Sequence, residues 1–256
     1  MSFEWIVKIV AENWQMFLRG AGLTLLIALI GTLIGAAIGL LAGVVRTIPE
    51  PEKGPKKLIL KVINIILSIY IEFFRGTPMI VQAMVIYYGS ALAFGLDMNI
   101  LVAAIIVVSI NTGAYMAEIV RGGIVSIDKG QFEAAHAIGM NHFQTMFNVI
   151  LPQVIRNILP ATGNQFVINI KDTSVLNVIS VTELYFLTKS VAGNNFRYFE
   201  SFFVACMIYF VMTFMVTRIL RYFERKLDGP DNFTVIGNPE QLYSPVQTTN
   251  LKSEHQ

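Results

Sequence analysis

The residues able to do chemistry gather in one stretch. From Asn164 to Ser180 the chain reads NQFVINIKDTSVLNVIS, an apolar frame carrying amides, hydroxyls, Lys171 and Asp172. An ionisable group in such a frame is costly unless it is paired or faces water. Lys171 and Asp172 are adjacent, so on a helix they point about 100° apart and do not simply neutralise each other. Asn169, Asp172, Thr173 and Asn177 are spaced by three, one and four, which places them on one helical face. That face suits the polar groups of a small solute, and equally suits hydrogen bonding between helices. Asn111, alone in another apolar run, has the same two uses. A solute carrying a carboxylate would call for a cation, and Arg75 can supply a bidentate partner if it lies at membrane depth. The alternative for Arg75 is a charge anchoring a helix end. No bond-making constellation is visible. His136 and His142 have no Asp or Ser partner arrangement, and no G-x-x-x-x-G-K-[ST] occurs. No catalytic residue, cofactor or metal site is expected, and any ATP hydrolysis belongs on another chain.

A second stretch has a different use. Glu133–Pro152 reads EAAHAIGMNHFQTMFNVILP, which fits EAA-x3-G-x9-[IV]-x-LP. Ala134, Ala135 and Ala137 favour a short helix with little side chain in the way. Its backbone can press into a groove on another protein. Gly139 can take a positive φ and so end or bend that helix. Phe143, Met146, Phe147 and Ile150 recur at helical spacing and suit a second helix on an apolar surface. Pro152 is expected to punctuate it.

This pattern resembles the EAA loop of the permease subunits of bacterial ABC importers. Val149 stands where Ile is commoner. Phe74-Arg75-Gly76-Thr77-Pro78, Asn111-Thr112-Gly113-Ala114-Tyr115 with Glu118, and Lys171-Asp172-Thr173-Ser174 resemble the polar amino acid branch of that family. The likeness covers roughly Gly20 to Lys226. It implies an all-α type I importer transmembrane domain in the bacterial cytoplasmic membrane. It implies that Glu133, Ala134, Ala135, Gly139, Leu151 and Pro152 dock on an ATP-binding cassette ATPase. It also implies a second permease subunit (the same or a related chain) and an extracytoplasmic amino acid-binding protein. A function of another class, an ion-coupled carrier or channel without an ATPase, is allowed by the polar fourth span but leaves the docking pattern unused. No nucleic-acid partner is expected.

The elements that must position these residues are membrane helices. Of 256 residues, 54% are hydrophobic and 14% charged, values for a polytopic membrane protein rather than a soluble domain. The single cysteine, Cys206, reads as a small buried hydrophobe. Residues 1–19, with Trp5 and Trp14 among charges, fit an interfacial helix. The transmembrane domain then covers 20–226, with the docking loop at 121–156, and 227–256 is a polar, flexible tail. Spans are expected over Gly20–Val45, Thr77–Leu96, Ile100–Val120, Asn157–Leu184 and Ser201–Tyr222. Gly31, Gly35, Gly39 and Gly43 form a stripe for close helix approach. Lys57, Lys61, Asn64, Ser68, Glu72 and Arg75 form a polar stripe over Leu58–Phe74, read as a helix lying in the membrane surface. In the rival reading, Leu58 onward is one crossing broken at Gly76-Thr77-Pro78.

Charge sets the orientation. With the docking loop inside, five crossings put the N-terminus outside and the C-terminus inside. Arg46, Lys53, Lys56, Lys57, Lys61, Arg121, Lys129, Arg156, Arg218, Arg221, Arg225 and Lys226 then face the cytoplasmic side. Only Lys8, Arg19, Lys189 and Arg197 are left outside, as the positive-inside bias requires.

Overall fold

The computed structural model describes residues 3–51 and 53–227. The expected tail, beyond Leu227, lies outside the described residues. The described elements are helical throughout: α1 Phe3–Val45, α2 Pro55–Gly76, α3 Met79–Phe94, α4 Ile100–Val125, α5 Lys129–Ala137, α6 His142–Thr145, a π-helical turn Met146–Ile150, α7 Leu151–Asp172, a 3₁₀ turn Thr173–Ile179, α8 Leu184–Asn195 and α9 Tyr198–Leu227.

α1 and α4 form the centre. The glycine stripe of α1 meets α4 four residues at a time: Gly31 at Val108, Gly35 at Thr112, Gly39 at Met116, Gly43 at Val120. Both numbers rise together, so the two helices run parallel. A Cβ at Gly35 would lie 2.6 Å from Thr112 Cβ, and one at Gly43 2.6 Å from Val120 Cγ1. Only glycine permits this approach. The stripe is therefore used inside the bundle.

α1 does not divide at residue 19. It is one helix of 43 residues, about 65 Å long, and the separate interfacial helix expected over 1–19 is its first part. Gly20 costs such a helix roughly 1 kcal/mol relative to alanine. The site tolerates it because a Cβ there would meet the backbone of Leu184 at 2.8 Å. Ile9 and Phe17 are buried with Val191 and Val204 of α8 and α9.

α2 and α3 follow one another along α4 in the opposite sense. Ile71 packs with Ala117 and Ala42. Tyr70 Oη donates to Ile110 O at 2.7 Å. Ala83 is buried with Ala103, Ala104 and Val107. Thr77 is extended, φ −119° and ψ 147°, as a residue before proline tends to be. α3 has only 16 residues, about 24 Å, short of the roughly 30 Å of hydrocarbon. The C-terminal half of α2 packs beside residues 110–117 of α4, an arrangement that both the surface-helix and the broken-crossing readings of Leu58–Phe74 allow. Periodicity could not decide this, because a polar stripe looks the same whether it faces headgroups or a path between helices.

α7 runs back along α4, with Val154 and Ile158 at Gly123 and Asn169 at Thr112. Its helix starts at Leu151, not Asn157, and Pro160 lies inside it. α9 is antiparallel to α7, Leu220 meeting Gly163 while Met212 is buried with Ile170. Three helices, α1, α4 and α9, are each long and apolar enough to cross a membrane. The pair His142–Ile179 and Leu184–Asn195, bent by 58°, forms a further segment of that kind. Cys206 is exposed, not buried; it sits on the outward face of α9, where the surroundings of a membrane helix are themselves apolar.

Candidate substrate path and docking loop

The polar face expected on the fourth span splits in two. Asn169 is 1% exposed. Its Nδ2 donates to Thr32 Oγ1 at 2.8 Å and to Thr112 Oγ1 at 2.9 Å, and its Oδ1 accepts from Gln165 at 3.3 Å. It therefore ties α7 to α1 and α4. Thr173 is fully buried and donates to Ile170 O at 3.0 Å. Asp172 and Asn177 are only half-buried; Asn177 donates to Ser174 O at 2.7 Å. The helix tightens to 3₁₀ at Thr173. A 3₁₀ turn advances about 120° per residue instead of 100°, which carries Asn177 off the face of Asn169 and Thr173; Asp172, the last residue of α7, lies to one side of that face.

Asn111 is likewise engaged. It donates to Gln82 Oε1 at 3.0 Å and to Phe74 O at 3.3 Å. Gln82 Nε2 in turn donates to Phe74 O and Thr77 O, both at 2.9 Å. These amides satisfy the carbonyls freed where α2 ends before Pro78. Sequence reasoning gave no role to Gln82, Thr32 or Thr112, although Gln82 and Thr32 are lone polar residues in apolar runs and Thr112 follows Asn111. Arg75 is exposed and lies over the Tyr115 ring, 5.6 Å from its centroid. Among the described residues it has no carboxylate partner, and no ion pair joins it to Asp172. Among the described residues Arg75 and Asp172 thus make no side-chain hydrogen bond or ion pair, and Asn177 bonds only within its own turn.

Glu118 marks the docking end of α4. It pairs with Arg46 at the end of α1 and with Arg121, whose Nη2 lies at 3.0 Å. The charges join the ends of α1 and α4.

Within the loop expected to dock, Asp128 caps α5 through Gly130 N. α5 ends in a Schellman turn. Met140 N donates to Ala135 O and Gly139 N to His136 O, both at 3.0 Å, and Gly139 has φ 85°. Asn141 and Gln144 then form a reciprocal cap on α6. Glu133, Ala134, Gly139 and Pro152 are exposed, whereas Ala135 and Leu151 are buried. The docking set named from the motif therefore divides into residues that face outward and residues that are buried. The apolar pattern divides too. Met146 and Ile150 are buried with Met116, Val120 and Ile124. Phe143 and Phe147 lie together on the outside, ring centroids 4.3 Å apart, and Ile138 is exposed as well. His142 is half-buried, and burial, then the charge of His136, holds its pKa below the usual imidazole value.

Pro152 does not end a helix, contrary to expectation. The chain widens to a π turn just before it, with Leu151 N donating to Met146 O. A wider turn relieves the clash between a proline ring and the carbonyl four residues back. Gln153 Nε2 donates to Val149 O at 2.7 Å and satisfies a carbonyl there.

Residues 58–229 match the family of binding-protein-dependent transport system inner membrane components. The chain belongs to that family. Among curated relatives, the probable amino-acid permease protein YxeN of Bacillus subtilis (strain 168) is 40% identical over 173 residues, 67% of this chain and 77% of that protein. The glutamine transport system permease protein GlnP of Escherichia coli (strain K12) is 41% identical over 167 residues, 65% and 76% respectively. A crystal structure of an amino acid ABC transporter with histidines superposes with a TM-score of 0.74 at 36% identity, covering 88% of this chain and 99% of that one. An inward-facing structure of the MetNI methionine ABC transporter shares the fold, with a TM-score of 0.64 at 19% identity over 88% of this chain and 100% of that one. This inner membrane component therefore has the type I ABC importer transmembrane fold and is a permease subunit.

Proposed function

We propose that the chain forms half of the passage of an ATP-driven importer for polar amino acids. Its relatives' names supply the substrate class. The observation that carries the coupling is the docking loop: α5, closed by the Gly139 turn, stands out from the bundle at the end where α1, α4 and α9 finish. An ATPase on a separate chain would grip Glu133, Ala134, Gly139, Pro152 and the outward Ile138, Phe143 and Phe147. A second permease subunit completes the passage, and a binding protein delivers substrate from outside. The docking end is cytoplasmic, and the start of α1 lies at the opposite end. Arg75 binds the substrate carboxylate, while Asp172 and Asn177 bind its ammonium or side chain. The chain makes and breaks no bond. Transport follows from the different stabilities of two conformations as ligand and nucleotide come and go.

The test is a reconstituted complex of this chain with its ATPase and binding protein. Uptake of labelled amino acids should depend on ATP and be competed by a narrow set of polar amino acids. Gly139→Val should insert normally but lose most amino-acid-stimulated hydrolysis, because a β-branched residue strongly disfavours positive φ. Full stimulation in that variant would remove the coupling role, and uptake without any ATPase would favour a self-sufficient carrier.

A further inference from the structure

The cleft between α7 and α9 holds three cations that the transport reading does not use. About 340 Å³ in volume, it is lined by Lys171 and Val167 from α7 and by Phe210, Phe214, Arg218 and Arg221 from α9. Among the described residues none of the three cations pairs with a carboxylate. Asp172 is the sequence neighbour of Lys171, and Glu224 lies one turn past Arg221; neither closes an ion pair. The hydroxyls at the rim are turned to their own helix, Thr213 donating to Tyr209 O at 2.9 Å and Thr217 to Thr213 O at 2.7 Å. The cations are therefore the cleft's only strong donors. Arg218 stands 4.9 Å from the centroid of the Phe214 ring. Phe210 and Phe214 are 59% and 48% exposed, and the apolar window of α9 is only 17% buried. Cations below, open apolar walls above, at the docking end of a membrane helix: this is the chemistry of a phospholipid, headgroup and tail.

We infer that this cleft binds an anionic phospholipid from the leaflet on the docking-loop side. Its phosphodiester sits between Arg218 and Arg221. Lys171 reaches down to it from deeper in the bundle, as a long basic side chain does. The acyl chains lie along Val167, Phe210 and Phe214. A second copy of this chain fits less well. α7 carries only Asp172 as an acid, and α9 only Glu200 and Glu224 near its two ends, so two such surfaces would bring cations against cations.

The experiment uses the complex with its ATPase, in phosphatidylcholine discs carrying graded phosphatidylglycerol. Lipid retained after detergent extraction is counted by native mass spectrometry. The wild type should keep phosphatidylglycerol in preference to phosphatidylcholine. The Arg218→Gln/Arg221→Gln variant should bind it about 25-fold more weakly, roughly fivefold for each cation removed. Arg218→Lys/Arg221→Lys keeps the charge and should stay within about threefold of the wild type. This second variant carries the comparison if the first fails to assemble. Equal retention of the two lipids, or equal retention by wild type and the glutamine variant, overturns the inference. Displacement of the lipid by millimolar inorganic phosphate would also overturn it, in favour of a free-anion site.

Discussion

At the residue scale, polar side chains inside this bundle have two occupations, and geometry separates them. Asn169 and Asn111 have their donors engaged by partners on other helices. Asp172 and Arg75 make no hydrogen bond or ion pair among the described residues. Replacing Asn169 by alanine should cost about 1 kcal/mol, at roughly 0.6 kcal/mol for each interhelical bond in a membrane. The loss should appear as less folded complex, with substrate selectivity unchanged. Asp172→Asn should do the reverse: normal yield, with uptake or selectivity altered across an amino acid panel. Normal yield and unchanged kinetics in Asp172→Asn would take Asp172 off the path. The residue types were legible in the sequence, but their partners were not. Thr32 is 137 positions from Asn169, and no local rule links them. The 3₁₀ turn after Asp172 also broke the face that uniform helical spacing implied.

At the element scale, what depends on a few adjacent residues was legible. The Gly139 turn rests on φ freedom and two backbone bonds, so the motif predicts it. Spacing also exposed the glycine stripe. What depends on distant packing was not legible. α1 runs through Gly20 because α8 comes close there, and the helix runs through Pro152 because a π turn makes room for it. Ala135 and Leu151 look available in the motif and are buried in the fold. The tightest packing gives the sharpest prediction at this scale. Gly35→Val puts side chain where Thr112 already stands and should cost about 1–3 kcal/mol through overpacking, or more if the helices separate. Thermal unfolding of the purified complex measures it; an unchanged midpoint would mean that α1 and α4 do not need this contact.

For the whole molecule, helix directions and charge agree. α1, α4 and α9 run toward the docking end, α2–α3 and α7 away from it. The four segments able to cross by length and composition, with α2–α3 beside them, alternate in direction as five crossings would require if the docking loop is cytoplasmic and the start of α1 lies outside. Arg46, Arg121, Lys129, Arg156, Arg218 and Arg221 then sit on the cytoplasmic side. Cysteines placed at Lys53 and Lys129, in a chain whose exposed Cys206 has been replaced by alanine, should react with a membrane-impermeant reagent only after cells are opened. Labelling of either in intact cells would reverse the orientation.

The meshed glycines have a mechanical consequence. Four successive knobs of α4, each filling a place where α1 has no side chain, leave those two helices no room to slide or roll. The Asn169 bracket and the Arg46–Glu118 pair pin them at two levels. They form a keel. Movement during a transport cycle would then fall on joints where helix gives way to extended or left-handed backbone, among them Thr77-Pro78 between α2 and α3, Gly95 after α3, Ser180 ahead of α8 and Phe196 ahead of α9. The panels hung on those joints, and not the keel, are what can swing to open the way to one side or the other.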